Sequence, residues 1–538
     1  MRSDAATDYD ALYRGFAWDI PEFINIGVEA CDRHATGEGH LALVVVDEDG
    51  RATRYSFDDL KRLSNRFANL LLGHGLDRGD RVGVLLPQGV ETAVAHLGTF
   101  KAGMISLPLF TLFGDDALEH RLGNAAARLV VTDRDGAAKL ARIRDRLPAL
   151  EKILVVGEDR GGGETLGYDE ELARASDSFE PVRTRADDPA LIIYTSGTTG
   201  SPKGALHGHR VLRGHLPSLD LVHDGFPQPG DLHWTPADWA WIGGLFDMLF
   251  PSWFHRVPVV AHRARKFDPH FAMRLMAEQG VRNVFLPPTA LRLLRAANVP
   301  AGQVRLRSMM TGGEALGSDI VEWVRETFGT TPHEVYGQTE CNLVIATNSR
   351  LFPLRPGSMG KAVPGHVVDI VDESGAVLPA GQEGMIGVRR PDPIMLLEYW
   401  RNPEATAAKF AGEYLLTGDL ARKDEEGYFW YSGRADDVIT SAGYRIGPTE
   451  IEDCLMRHPK VARAAVVGIP DPVRTEAIKA WIVLRPGETP SPALVEDIQA
   501  FVRTRLAAYE YPRHVAFIDE LPTTITGKVL RRELRARG

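Results

Sequence analysis

Residues 191–204 read LIIYTSGTTGSPKG, and their reading decides the fold. Leu191, Ile192, Ile193 and Tyr194 form a short apolar run of strand type that passes straight into a loop of Thr, Ser and Gly ending on one lysine, Lys203. Small residues let backbone N–H groups approach phosphate oxygens, the hydroxyls add donors, and Lys203 adds a positive charge. The same composition also makes flexible linkers, but a linker seldom follows a buried strand and holds one lysine at a fixed place. The G-K-[ST] ending of a Walker loop is absent, which disfavours P-loop kinases and NTPases. A strand feeding a polyphosphate cradle belongs to a layered α/β protein, in which parallel sheets present sites at strand ends.

The segments on either side repeat that pattern. Ser56 followed by Asp59 predicts a capping box, Leu60, Leu63, Phe67, Leu70 and Leu71 share one helical face, and Arg81–Leu86 reads as a strand. Further β-rich runs stand at Leu129–Thr132, Ile153–Val156, Val257–Val260 and Asn283–Leu286, several followed by helical patterns. Near residues 430–445 the character changes at a polar, turn-prone link, Ser432 to Asp437. Beyond it a small α+β unit is expected. Thr449 and Glu452 predict a capped helix, strands fall near Arg463–Val467, Lys479–Leu484 and His514–Ile518, and Ser491-Pro492 opens another helix. The expected division is residues 1–434 and 435–538. No repeat of about 20–50 residues occurs, so solenoids and propellers lose support.

Composition bounds the function. The 538 residues hold 62 Lys+Arg against 72 Asp+Glu, a formal charge of −10, with 44% hydrophobic residues. At about 100–200 residues per domain the chain forms several compact units. The negative balance argues against a non-specific binder of nucleic acid or membrane surfaces, which needs a basic face. Cys31, Cys341 and Cys454 are odd in number and far apart, giving no disulfide framework or thiolate zinc site and pointing to a reducing cytoplasm. Three Asp within the first ten residues contradict a secretory or organellar leader, and no run of about 18 apolar residues suggests a membrane span.

Six segments in order carry a resemblance. They are YTSGTTGSPKG; Thr311-Gly312-Gly313-Glu314; Tyr336-Gly337-Gln338-Thr339-Glu340; Thr417-Gly418-Asp419; Gly433-Arg434-Ala435-Asp436-Asp437 through Gly443-Tyr444-Arg445-Ile446-Gly447; and Leu521-Pro522 to Thr526-Gly527-Lys528. Together they resemble the acyl-adenylate-forming (AMP-binding) superfamily over nearly the whole chain. Within it, SGRADDVITSAGYRIGPTEIE and DPVRTEAIKAW look most like acyl-CoA synthetases of the medium-chain type. The implied fold is a large multi-subdomain N-terminal region of mostly parallel layered sheets plus a small, mobile α+β C-terminal domain.

The resemblance implies a two-step reaction: a carboxylate attacks the α-phosphorus of ATP to give acyl-AMP and pyrophosphate, and coenzyme A thiol then displaces AMP. Two anions meet in the first step, so placed cations and oriented N–H donors should supply most of the catalysis. By resemblance, Lys528 is the lysine that reaches the carboxylate and α-phosphate, and Thr339 and Glu340 orient Mg²⁺, a hard cation served by oxygen. ATP is expected along Thr195, Ser196, Gly197, Thr198, Thr199, Gly200 and Lys203. Gly313 and Glu314 would line the adenine, Tyr336 stack on it beside Gly337 and Gln338, Asp419 accept the ribose hydroxyls, and Arg434 and Arg445 meet ribose or phosphate.

For the second step the resemblance makes Asp436 the hinge and brings Ser441, Ala442 and Gly443 to the pantetheine channel, with Arg474 and Arg503 as coenzyme A contacts. Each of these also has an ordinary reading as a linker or a solvated surface residue. The acyl pocket is expected from Trp239, Trp241, Ile242, Gly243, Gly312 and Gly337, with plain core packing as the alternative for both tryptophans. Acetyl-CoA synthetases resemble this chain but place Trp where Gly337 stands, so loss of that wall predicts a longer acid and poor use of acetate. The expected substrate is a short-branched to medium-chain fatty acid, with an aromatic, benzoate-like acid as rival. A ligase passing the acyl group to a carrier protein, a luciferase-like oxidase and a non-enzymatic nucleotide-binding regulator are the competing classes; intact Lys203, Glu340, Asp419 and Lys528 argue against the last. The partners are then small molecules, without nucleic acid or integral membrane association. The chain is expected as monomer or homo-oligomer, and Lys528 is a candidate for regulatory acetylation, which would remove its charge.

Overall fold

The computed structural model describes residues 8–157, 165–195, 202–263, 266–313, 316–435, 437, 439–441, 444–471, 475–505, 511–524 and 527–537. Chain contacts divide it into two compact units, residues 1–368 with 388–410, and residues 369–387 with 411–538.

The first unit holds two sheets. In one, strands Leu41–Val46, Val259–His262, His233–Trp234, Asn283–Phe285, Ser308–Gly312 and Pro332–Gln338 run parallel in that spatial order. Ala52–Ser56 pairs antiparallel beside the first of these, and Asn342–Ala346 beside the last. In the other sheet, Leu166–Gly167, Lys152–Val155, Leu129–Thr132, Arg81–Leu85, Ile105–Pro108 and Pro189–Thr195 are parallel neighbours, followed antiparallel by Lys203–Gly208 and Glu398–Tyr399. The expected mostly parallel α/β layering is therefore the architecture. The strand expected at Val257–Val260 starts two residues later, at Val259.

Local chemistry explains the best-read helix. Ser56 Oγ accepts from Asp59 N while the Asp59 carboxylate accepts from Ser56 N, so both halves of the capping box form at the start of helix Phe57–Gly73. Its buried stripe includes Leu60, Phe67, Leu70 and Leu71, the apolar face that the spacing predicts. The most apolar stretch, 242–254, is helical throughout and includes a π-helical turn at Leu245–Leu249 with every residue buried.

The second unit contains a long antiparallel pair, Val461–Asp471 with Thr475–Leu484, and His514–Phe517 lies parallel to the latter. Helices Pro448–Met456, Pro492–Arg503 and Arg531–Ala536 accompany it, the second capped by Ser491 onto Leu494 N. The capping box expected at Thr449 and Glu452 does not form: the cap is Gly447, and Glu452 lies in the fifth helical position with tertiary partners of its own. Residue 434, where the sequence divides the chain, ends strand Phe429–Arg434 inside this second unit.

Candidate active site

A three-residue hairpin tip carries the first candidate pair. Gln338 pairs with Asn342, Cys341 N donates to Gln338 O at 3.0 Å, and Asn342 takes a left-handed φ of 48°. That combination is a tight turn closed by a bulge, so Thr339 and Glu340 project from the strand end as the tip itself. Gly337 sits at the register shift, where an added Cβ would overlap the Asn342 carbonyl oxygen. Its glycine has a backbone reason. A side chain there would run into the returning strand, so the hairpin itself favours glycine here, apart from any part Gly337 has in an acyl pocket.

The tip is buried by chain from elsewhere. Leu396 N donates to Glu340 O at 2.8 Å, Asn342 Nδ2 donates to Ile394 O, and Tyr399 OH donates to Glu340 Oε1 at 2.5 Å. Tyr399 also pairs with Ala205, two residues from Lys203, whose Nζ stands 5.4 Å from the Tyr399 ring centroid. Tyr399 thus joins Lys203 to the hairpin carboxylate. Lys409 Nζ donates to Gln338 Oε1 at 2.8 Å beside them. Neither Tyr399 nor Lys409 is a residue the sequence motifs single out; Tyr399 arrives through the strand pairing of 398–399 and Lys409 at the end of helix Pro403–Ala408.

The phosphate loop itself connects two antiparallel strands, with Thr195 opposite Lys203. Lys203 therefore opens a strand, not a helix. Ser196, Gly197, Thr198, Thr199 and Gly200 lie outside the described residues, as does Glu314.

The pocket candidates separate. Trp239 is wholly buried in the first unit's core and Ile242 is buried in the same cluster, so Trp239 is a packing residue rather than a lining one. Trp241 is only half-buried. Its indole lies 6.2 Å from the Phe285 ring, and among the described residues it is what a Cβ on Gly313, φ +91°, would meet within 4 Å. A Cβ on Gly243 would also touch it, at 3.4 Å, whereas one on Gly312 would press on Val335. Asp238, just before Trp239, accepts from Ala240 N in a local turn, and burial raises its carboxyl to about 6.

In the second unit, Asp419 and Arg434 are cross-strand partners, with Arg434 Nη1 3.2 Å from Asp419 Oδ1. Gly418 turns with φ +80°, Thr417 Oγ1 holds Asp419 N, and Tyr431 OH reaches Asp419 Oδ1 at 3.4 Å. Burial drives the Tyr431 phenol well above its usual range, so it stays a hydrogen-bond donor. Lys528 is exposed on a closed loop: Thr523 bridges Val529, Thr524 N donates to Lys528 O, and Lys528 N donates to Thr524 Oγ1. Ser441 is buried where its strand meets Thr475. Arg503 stacks its guanidinium 4.2 Å from the Tyr511 ring. Asp436, Ala442, Gly443 and Arg474 lie outside the described residues, and of Arg445 only the strand backbone, opposite Thr440, is described.

The layered parallel sheets define an α/β protein, and comparison with known proteins gives its class. The chain belongs to the AMP-binding enzyme family, which matches residues 31–400, while the AMP-binding enzyme C-terminal domain matches residues 450–528. It is 36% identical to "Acetyl-coenzyme A synthetase" of Bacillus subtilis (strain 168) over 98% of this chain and 95% of that one. It is likewise 36% identical to the human "Acyl-coenzyme A synthetase ACSM5, mitochondrial", covering 96% and 91%. Among solved structures, an anthranilate CoA ligase, AuaEII, in complex with anthranoyl-AMP superposes with a TM-score of 0.86 at 28% identity, covering 96% and 98%. No helix among the described residues is long and apolar enough to cross a membrane.

Proposed function

We propose that this AMP-forming acyl-CoA synthetase activates a short-branched to medium-chain fatty acid. Adenylation and thioester formation with ATP and coenzyme A follow from its family; the acid and the residue roles are our reading. The observation that carries the acid is the half-buried Trp241 indole facing Gly313 and Gly243, an apolar wall beside glycines that add no bulk of their own. An alkyl chain laid along it gains about 0.8 kcal/mol per buried CH₂. Such a ladder separates neighbouring chain lengths by only about 1–3 kcal/mol, so the profile should be broad. An aromatic acid is the second reading, favoured by the same indole as a stacking surface and by the likeness to the anthranilate ligase.

Lys203 is read as the cation on the ATP phosphates, Asp419 as the ribose acceptor held by Arg434 and Tyr431, and Lys528 as the lysine that brings carboxylate and α-phosphate together. Tyr336 and Gly313 would flank the adenine. Thr339 and Glu340 offer a hydroxyl and carboxylate oxygens, the donor type that Mg²⁺ takes. No group of three or more His, Cys, Asp or Glu able to hold a metal occurs among the described residues, so nucleotide oxygens would complete its shell. Bound there, the ion would neutralise phosphate charge. Asp436 as pivot, with residues 435–538 as a domain that turns between half-reactions, and Ser441, Ala442, Gly443, Arg474 and Arg503 on the coenzyme A side remain part of this proposal.

Pyrophosphate exchange and thioester formation measured for acetate, butyrate, hexanoate, octanoate and benzoate, with and without coenzyme A, test the acid. Fastest turnover between butyrate and octanoate is expected. Acetate first would sink the assignment; benzoate first would establish the aromatic reading.

A further inference from the structure

Four charged side chains of the second unit meet within electrostatic reach of Tyr431. Arg531 Nη2 lies 2.6 Å from Glu452 Oε2 and its Nε 3.3 Å from Oε1, while its Nη1 lies 3.3 Å from Asp437 Oδ2. Arg535 Nη2 closes the group on Asp437 Oδ1 at 2.8 Å, and Val466 N donates to Glu452 Oε1 at 2.7 Å. The side chains are 19% exposed for Arg531 and 11% for both Glu452 and Asp437.

Stability alone is a poor reason for this arrangement. Burying such ions costs several kcal/mol each, and apolar residues of similar volume are often as stable or better. What the cluster supplies is geometry. Arg531 begins the helix Arg531–Ala536 three residues after Lys528, and its planar fork holds two carboxylates at fixed angles. Backbone bonds of Thr523, Thr524 and Leu530 tie both sides of Lys528 together, so the place where Arg531 is held bears on where Lys528 sits. The other ends of the clamp are Glu452, in helix Pro448–Met456, and Asp437, next in sequence to Asp436.

We infer that Arg531, clamped by Glu452 and Asp437, is the positioning residue that sets where Lys528 is presented. The inference rests on the reading of Lys528 as the adenylation lysine. A reactive group displaced by about 1 Å loses on the order of 100-fold in rate, so a loosened clamp should damage the step that uses Lys528 and spare the one that does not.

The test compares Arg531→Ala, Arg531→Lys and Lys528→Ala in both half-reactions of the full chain, with melting temperatures alongside. Expected for Arg531→Ala is a fall of about 100-fold in kcat for acyl-AMP formation with KM for ATP held, and thioester formation from supplied acyl-AMP within about twofold. Arg531→Lys keeps the charge without the fork, so it folds and should lose about tenfold in the first half-reaction only. Adenylation within twofold of the parent in both Arg531 variants, while Lys528→Ala abolishes it, overturns the clamp alone. Both half-reactions falling together with the melting temperature makes the cluster structural and overturns it too. Adenylation surviving Lys528→Ala removes the reading beneath it, and the clamp with it.

Discussion

Tyr399 does at one point what no local motif could announce. Its hydroxyl holds Glu340 at 2.5 Å and its ring borders Lys203, although the three residues are separated by 59 and 196 positions in sequence. Removing the hydroxyl leaves the Glu340 carboxylate with one donor fewer in a buried setting. Tyr399→Phe should lower acyl-AMP formation about tenfold, the weight of one charge-assisted hydrogen bond, and raise the Mg²⁺ concentration needed for half-maximal rate. The ring is kept, so the melting temperature should barely move. A magnesium titration of pyrophosphate exchange reads both quantities, and an unchanged half-saturation would separate Tyr399 from the carboxylate's role. Lys203 and Glu340 stand out as candidates in the sequence because each sits in a short motif with its own chemistry; Tyr399 does not, because its contacts depend on a strand pairing formed across the fold.

Elements show the same division between local and tertiary causes. The Ser56–Asp59 capping box reads directly because both partners lie within one turn. The similar pattern at Thr449 and Glu452 misleads, since Glu452 finds an arginine 79 residues away. Trp239 and Trp241 are two residues apart and chemically identical, and only packing puts one in the core and leaves the other half-buried. The hairpin at 336–342 offers a direct test. A methyl on Gly337 would overlap the Asn342 carbonyl oxygen, so Gly337→Ala must push the two strands apart or break the bulge. A cost of about 2–4 kcal/mol in the first unit is expected, together with loss of adenylation through misplaced Thr339 and Glu340. Thermal melting and pyrophosphate exchange on that variant check both. Unaltered stability would mean the hairpin yields easily, and the backbone would then give no reason for glycine at this position.

At the scale of the molecule, the histidines of the first unit decide its response to acid. His96, His207, His209 and His233 are all fully buried, and burial holds each imidazole down to about 3. Their folded values lie below the unfolded value of about 6.5, so the unfolded chain binds these protons first and stability is lost as pH falls below that point. Asp238 runs the other way. Its folded value of about 6 lies above the unfolded one, so the native state takes up its proton first and gains stability between about pH 6 and 4. His34, His223 and His333 are lowered as well, so the lowered histidines outnumber the raised carboxyls, the unfolded chain binds more protons near pH 5.5, and stability falls steeply with falling pH there. Asp247, also raised by burial, eases that slope. Urea unfolding of the full chain at pH 7.5, 6.5, 6.0 and 5.5 should therefore show a steep loss beginning near 6.5 and little change above it. A flat profile down to pH 5.5 would require these imidazoles to accept protons in the folded state, and so contradict their burial.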